Sequence, residues 1–286
     1  INMDQSNSSR RSFLKNVSFA TAFFAMGGYQ KISANTVFEN RSKVVLRFVV
    51  ASDAHYGQPG TAYDEMIEKI TSQINSFHQE TPLDFCVING DIIHDKKHLL
   101  PLAKQKIDAL IPQYYVTRGN HDMVTADYWN EVWGMPLNHT VIVKDQAIIL
   151  ADTSNEAGKY LSPDLNWLAK QLEANKQKNN VFLFLHIPQK AWTANAIDTP
   201  DFEALVNQYP NITAIFHGHE HDQDGVKLLG SRQTPCLFDA HMGGNWGTPY
   251  KGFRVVEVLN NLSWLSYMMN PTQKINEFSH QEFYKK

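Results

Sequence analysis

The stretch VVLRFVVASDAH, residues 44–55, places an apolar run directly before an aspartate and a histidine. A nearly continuous apolar run of this kind is typical of a strand that is buried on both faces of a sheet. Asp53 and His55 then follow at the carboxyl end of the strand, where chemistry usually lies in α/β sheets. A buried strand that ends in polar residues is therefore the pattern to follow along the chain.

The same order of strand, turn and helix recurs after this stretch. Apolar residues at spacings of three and four predict an amphipathic helix over residues 63–77. Further strands are predicted at residues 85–88, 113–116, 147–151, 181–185 and 212–216, and Ser162-Pro163 predicts the start of a second helix. Short alternating segments predict antiparallel strands at 226–229, 235–238, 253–258 and 262–268. We therefore expect a layered α/β or α+β domain with a large mixed sheet.

The composition limits the chemistry of any active site. The 286 residues carry a formal net charge of −3, and 43% of them are hydrophobic. This charge argues against a dedicated nucleic-acid-binding protein, which would normally be basic. Only two cysteines occur, which excludes a disulfide scaffold and a zinc site of four thiolates. Because the chain has 12 histidines, any metal would be held by imidazole and carboxylate groups.

The N-terminal segment resembles a bacterial twin-arginine export signal. Residues 9–15 read SRRSFLK, and a short apolar stretch follows at residues 17–26. That stretch is too short to span a bilayer, so it predicts a signal sequence without a stable membrane anchor. We expect residues 1–40 to be this signal segment, recognised by the twin-arginine export machinery, and residues 41–286 to be the folded domain. The expected location is therefore periplasmic or secreted.

Five polar segments directly follow predicted strands. They are Asp53-Ala54-His55, Gly90-Asp91-Ile92-Ile93-His94, Gly119-Asn120-His121-Asp122, His186 and His217-Gly218-His219-Glu220-His221. Oxygen and nitrogen donors of this kind suit Zn, Mn or Fe better than Ca. They outnumber the ligands of one tetrahedral ion and so predict two metals, with Asp91 best placed to bridge them. Each segment alone also fits an ordinary turn, but their joint occurrence at strand ends favours a metal centre.

In this order, the segments resemble the motifs of the calcineurin-like metallophosphoesterase superfamily, D-x-H, G-D, G-N-H-[DE], H and G-H-x-H. The match runs from Asp53 to His221, and the compact length resembles the small bacterial phosphodiesterase branch. The resemblance implies a four-layer α-β-β-α sandwich of two packed mixed sheets flanked by helices, with the strand-rich tail in the second sheet. It also implies that a metal-bridging hydroxide attacks the phosphorus of a small phosphomonoester or phosphodiester in line.

The resemblance further implies a role for each motif residue. One metal would be held by Asp53, His55, His221 and the bridging Asp91, and the other by Asp91, Asn120, His186 and His219. The two ions would be divalent or trivalent Mn, Fe or Zn. His121 would be a general acid rather than a ligand, and Asp122 would orient it.

The substrate pocket is less well defined by the sequence. His94 stands where the purple acid phosphatases have a tyrosine, and it would either contact the substrate phosphate or cap a loop. In the glycine-rich segment 239–247, Trp246 would form an aromatic wall with Tyr250 or else cover the core. The other candidate pocket residues are His241 and Asn155.

Two alternative functions remain open at this point. One is a non-catalytic member of the same fold that binds metal or phosphate, and the other is a hydrolase with a single zinc ion. The first alternative usually requires a missing ligand, and the motifs here contain all of them. The leading prediction is therefore a dinuclear phosphoesterase.

Overall fold

The computed structural model describes residues 44–239, 241–270 and 273–280. The predicted signal segment, residues 1–40, lies outside the described residues. Among the helices of the described part of the chain, none has the length and apolar character needed to cross a membrane.

The described residues form strands and helices, which are numbered separately in chain order. The strands are β1 (Val44–Ala51), β2 (Phe85–Asn89), β3 (Tyr114–Thr117), β4 (His139–Val143), β5 (Gln146–Leu150), β6 (Val181–Phe184), β7 (Ile212–His217), β8 (Val226–Leu229), β9 (Thr234–Phe238), β10 (Phe253–Leu259), β11 (Trp264–Asn270) and β12 (Gln273–His280). The helices are α1 (Tyr63–Glu80), α2 (Leu100–Ile107), α3 (Ala126–Trp133), α4 (Leu165–Ala174) and α5 (Pro200–Val206).

The strands pair into two six-stranded mixed sheets. The first sheet has the order β12-β11-β10-β1-β2-β3, with β1, β2 and β3 parallel and the other neighbours antiparallel. The second has the order β4-β5-β6-β7-β9-β8, with parallel central strands and antiparallel edge strands. Because the central strands of each sheet are parallel, their carboxyl ends lie along one edge.

Three apolar clusters separate the layers. Phenylalanines fill the space between the sheets, where Phe48 stacks on Phe85 and meets the edges of Phe182 and Phe216. A second cluster packs α1, α2 and α3 on the outer face of the first sheet, and a third packs α4 and α5 on the second sheet. The predicted four-layer α-β-β-α sandwich is confirmed.

The position of the strand-rich tail differs from the expectation. The tail does not form the second sheet by itself, because β8 and β9 extend the second sheet whereas β10, β11 and β12 extend the first. β10 pairs antiparallel with β1, so the end of the chain closes the sheet that the first strand begins. The second predicted helix also begins later than Ser162, since Asp164 is the residue that caps α4 by accepting a hydrogen bond from the Trp167 N–H.

A buried polar network joins the two sheets beneath the carboxyl ends of the strands. Arg254 on β10 is fully buried, and its guanidinium donates to Asp239, which follows β9, at 3.1 Å. The Asn89 side chain at the end of β2 donates to the other oxygen of Asp239 at 3.3 Å and to the Phe216 carbonyl on β7 at 3.2 Å. Residues of the first sheet therefore hold the ends of two strands of the second.

Arg254→Met is expected to lower the free energy of unfolding by roughly 3–5 kcal/mol, because it leaves the Asp239 carboxylate buried without its charged partner. Urea denaturation of the metal-free protein measures this change. The matched control is Lys178→Met, which removes the surface ion pair with Asp145 and should change stability by less than about 1 kcal/mol. Equal losses in the two variants would contradict a stabilising role for the buried pair.

Candidate metal centre

The polar segments predicted from the sequence meet at the carboxyl ends of the central strands. Asp53 and His55 follow β1, Asp91 follows β2, and Asn120 follows β3. His186 follows β6, and His219 and His221 follow β7. Six of these residues form two groups of donor atoms, described next, and Asn120 lies beside them.

The first group consists of Asp53, His55 and His221. Their donor atoms all lie within 4.8 Å of one another, and the three residues are buried. The two histidine Nε2 atoms are 3.0 Å apart, and His221 Nε2 is 3.2 Å from an Asp53 oxygen. Three buried donors at these separations can surround one small cation.

The second group consists of Asp91, His186 and His219, whose donor atoms also lie within 4.8 Å of one another. Asp91 Oδ2 is 3.2 Å from His186 Nε2 and 3.6 Å from His55 Nε2 of the first group. The other oxygen, Oδ1, accepts a hydrogen bond from the His121 N–H at 2.7 Å. Asp91 therefore stands between the two groups, as a bridging carboxylate must.

Three side-chain atoms of the site residues are buried without a hydrogen-bond partner. They are Asn120 Oδ1, His186 Nε2 and His221 Nδ1. The other ring nitrogen of His186, Nδ1, donates to the Asn89 carbonyl at 2.7 Å, which turns Nε2 toward the Asp91 carboxylate 3.2 Å away. Because buried polar atoms are normally paired, the unpaired Asn120 Oδ1 and His186 Nε2 fit a metal site.

The charges of the site also favour a bound cation. Burial lowers the pKa of His55 to about 3 and that of His219 to about 4, so both imidazoles are neutral, as metal ligands must be. Burial acts in the same direction on His186, but the carboxylates of Asp91 and Asp53 outweigh it and raise its pKa to about 10. Without a metal, His186 is therefore protonated, and its positive charge lies beside the carboxylates of Asp91 and Asp53.

The backbone of the ligand residues adopts conformations that are rare for side chains other than glycine. The φ angles are 57° at Asp53, 45° at His55, 50° at Asp91 and 68° at His219. Gly90, with φ 82°, lies so close to His186 that an added Cβ would overlap the imidazole. Strained backbone of this kind is typical of functional sites.

Each group of ligands takes residues from both sheets. In the first group, Asp53 and His55 follow a strand of the first sheet, whereas His221 follows a strand of the second. In the second group, Asp91 comes from the first sheet, and His186 and His219 come from the second.

His121 lies beside the two groups and is oriented differently from the expectation. Its Nδ1 pairs with an Asp95 oxygen at 2.6 Å. The Asp122 carboxylate instead accepts hydrogen bonds from the backbone N–H groups of Gly119 at 2.7 Å and Ile93 at 2.9 Å. The prediction that Asp122 orients the His121 imidazole is therefore wrong, since Asp122 braces the turn and Asp95 contacts the ring.

His94 lies at the edge of the site. Its ring stacks on that of His121, with centroids 5.0 Å apart and planes 9° apart, and its Nδ1 is 3.1 Å from Nδ1 of His55. The side chain is 20% exposed, which leaves one part of the ring open to a ligand. Together with His55 and His121 it forms a third group whose donor atoms lie within 4.8 Å of one another, and its contact with substrate stays a prediction.

Two predicted pocket residues hold loops instead. His241 is fully buried, and its Nδ1 donates to the Gly243 carbonyl at 2.6 Å, so it braces the glycine-rich loop rather than facing a substrate. Asn155 accepts hydrogen bonds from the N–H groups of Ala157 and Lys159 through its side-chain oxygen. Both side chains thus have structural tasks that the sequence alone did not reveal.

The aromatic residues at the site also differ in part from the prediction. Trp246 stacks on His221, whereas the Tyr250 hydroxyl bonds to Asp224, so the two do not form one wall through shared contacts. Tyr160, which the sequence did not suggest, meets His219 edge-on with centroids 4.8 Å apart.

A family model described as calcineurin-like phosphoesterase matches residues 46–223. This interval contains all seven predicted ligands, from Asp53 to His221. No curated protein matches the chain.

Several solved structures have the same fold as this chain. A dimetal phosphatase from Danio rerio has a TM-score of 0.65 and 13% identity, and the alignment covers 82% of this chain and 98% of that one. A purple acid phosphatase from yellow lupin seeds has a TM-score of 0.60 and 12% identity, over 82% of this chain and 53% of that one. GAP50, the anchor in the inner membrane complex of Plasmodium, has a TM-score of 0.60 and 15% identity, over 85% and 90%. At these identities the likeness shows the fold alone.

Proposed function

The chain belongs to the calcineurin-like phosphoesterase family, and from this premise we propose that it hydrolyses phosphate esters with two bound metal ions. The observation that carries the proposal is the pair of buried donor groups with Asp91 between them. A site for one ion would not require a carboxylate shared in this way. The donor set of imidazole, carboxylate and amide suits Mn, Fe or Zn.

The metal ions would be held by the residues that the sequence predicted. One ion would be held by Asp53, His55 and His221. The other ion would be held by His186, His219 and Asn120, and Asp91 would bind both ions. When bound, two such ions supply Lewis acidity toward a phosphoryl group and toward water. The protein fixes the ligands through strained turns and through hydrogen bonds such as that of His186 to the Asn89 carbonyl.

His121 is the group in the site best suited to proton transfer. The Asp95 carboxylate accepts a hydrogen bond from its Nδ1–H at 2.6 Å, which directs Nε2 as the atom that exchanges protons. The side chain is 29% exposed, so it remains accessible to a substrate. We assign it the role of protonating the oxygen of the leaving group.

The alternative of a non-catalytic binding protein also deserves a test, because GAP50 shares the fold and is described as an anchor. The complete ligand set and the dyad of His121 and Asp95 favour catalysis, since simple metal binding requires no proton donor beside the ligands.

Metal-loaded protein is expected to contain about two ions per chain and to hydrolyse a phosphomonoester, a phosphodiester or both. Elemental analysis after dialysis counts the ions, and a screen that compares monoesters with diesters measures activity. Removal of the metals with a chelator should abolish turnover, and metal addition should restore it. Full activity with one tightly bound ion would support the mononuclear hydrolase, and two ions without activity would support the binding protein.

We further propose a small phosphorylated substrate and a periplasmic or secreted location. The net charge of −3 provides no basic surplus for nucleic acid. The export proposal depends on Arg10-Arg11 and on the apolar segment that follows. Fractionation of bacteria that produce the full chain tests it, and retention in the cytoplasm would contradict it.

A further inference from the structure

Trp246 covers one group of metal ligands with an exposed aromatic ring. Its indole stacks on the His221 ring, with centroids 4.3 Å apart and planes 10° apart, and lies 4.8 Å from the His55 ring. The residue is 43% exposed, which argues against a role in covering the core. A large apolar side chain therefore stands open to solvent directly at the metal centre.

The loop around Trp246 is pressed against the ligand residues on both sides. Before the tryptophan, the Gly243 N–H donates to the Asp53 carbonyl at 3.0 Å, and a Cβ at this position would overlap the Ala54 carbonyl oxygen. After it, Gly247 has a φ of 107°, and a Cβ there would overlap His221. Only glycine permits so close an approach at both positions, so the loop backbone is held against the ligand residues and the stacking on His221 positions the indole.

Loop hydrogen bonds add to this placement. The Thr248 N–H donates to the His221 carbonyl at 2.8 Å, and the Gln58 side chain donates to Asn245 at 3.3 Å. The indole is thus fixed relative to the donor groups from the residues immediately before and after it. A fixed aromatic surface loses little conformational freedom when a ligand binds to it.

Part of the indole surface is available to a ligand. His221 lies parallel to the ring and the His55 ring approaches it at 57°, yet 43% of the residue is exposed. Such a surface favours a planar group, which can stack on it, over an open-chain group, which cannot. Tyr160 provides a second aromatic ring beside His219 of the other donor group.

We propose that Trp246 determines substrate specificity by stacking the planar ring of a phosphate ester, as in a nucleotide or an aryl phosphate. The inference rests on the proposed function, because the phosphate of the same molecule would lie at the metal centre. Trp246 acts on the ring and not on the phosphate, so esters of open-chain alcohols gain nothing from it.

The test compares binding and turnover in Trp246→Ala and Trp246→Phe, with Trp167→Phe as the matched control on α4. Calorimetry of the metal-loaded protein measures binding of a phosphonate analogue of adenosine monophosphate and of methylphosphonate. Trp246→Ala should weaken binding of the adenosine compound roughly 5- to 150-fold more than binding of methylphosphonate. Trp246→Phe should retain part of the preference for the adenosine compound over methylphosphonate. Trp167→Phe should retain all of this preference.

Turnover measurements show whether the enzyme prefers the planar ring of a nucleotide or that of an aryl phosphate. We expect Trp246→Ala to lower kcat/KM for adenosine monophosphate, for 4-nitrophenyl phosphate or for both, relative to glycerol phosphate. A loss confined to one of the first two identifies the nucleobase or the aryl group as the preferred ring. Equal losses for all three esters, together with equal losses for both phosphonates, would overturn the inference. Failure of the proposed function is distinct, since the unmodified protein would then hydrolyse none of these esters.

Discussion

Asp91→Ala is expected to lower kcat for phosphate-ester hydrolysis by more than about 1,000-fold and to remove at least one of the two metal ions. Asp91 is the carboxylate that lies between the two donor groups, 3.2 Å from His186 Nε2 and 3.6 Å from His55 Nε2. Its removal therefore weakens both ion sites at once, whereas loss of any other ligand weakens only one. Elemental analysis and steady-state kinetics on the same sample measure the two effects.

Two further variants separate the loss of charge from damage to the fold. Asp91→Asn keeps an acceptor for the His121 N–H and removes only the negative charge. It should lose metal and activity almost as fully as the alanine variant, with little change in the melting temperature of the metal-free protein. Asp145→Ala is the matched control, because this carboxylate is 68% exposed and pairs with Lys178 at the surface. An Asp91 variant that retained two ions and full activity would exclude the bridging role.

His121→Ala is expected to lower kcat by roughly 10²- to 10⁴-fold while both metal ions remain bound. The imidazole lies outside the two donor groups that contain Asp53 and Asp91. It forms a third cluster with His55 and His94, but its Nδ1 is engaged by Asp95. The deficit should therefore lie in proton transfer and not in metal affinity. Metal analysis and kinetics together distinguish this outcome from that expected for Asp91→Ala.

The dependence on the leaving group identifies the role of His121. An alkyl phosphate leaves as a basic alkoxide and needs a proton, so it should lose much more rate than 4-nitrophenyl phosphate. Asp95→Asn should show the same pattern with a smaller loss, because it only positions the ring. His98→Ala is the control, since His98 is exposed and lies outside the site. Equal losses for good and poor leaving groups would show that His121 is not the general acid.

The sequence contained enough information to bring together the residues of the candidate metal site. Buried strands such as β1 and β7 are recognisable as apolar runs, and the polar residues after them lie at one edge because the strands are parallel. The prediction of two donor groups with Asp91 between them depended only on this geometry and on the family resemblance.

The contacts around His121 could not be predicted in the same way. Asp122 is adjacent to His121 in the sequence, whereas Asp95 is 26 residues away, so the spacing along the chain favoured the wrong carboxylate. The local backbone decides between them, because the N–H groups of Gly119 and Ile93 each donate to one oxygen of Asp122. A carboxylate four residues after Asp91 was the available signal for Asp95.

The pairing of the strands after residue 226 could likewise not be predicted from the sequence. The alternating segments from residue 226 onward predict strands, but strand pairing depends on contacts between distant parts of the chain. β10 lies next to β1 although more than 200 residues separate Val49 from its partner Val255. Neither β4 nor β12 was predicted.

Each donor group contains residues from both sheets, so metal binding would be coupled to folding. An ion that binds only when the two sheets are correctly packed stabilises the folded chain by thermodynamic linkage, by about 2.7 kcal/mol per site when the free metal is at 100 times its dissociation constant. Each ion would therefore act as a reversible cross-link between the sheets. The metal concentration of the compartment in which the chain folds would then set its resistance to unfolding and to proteolysis, independently of any substrate.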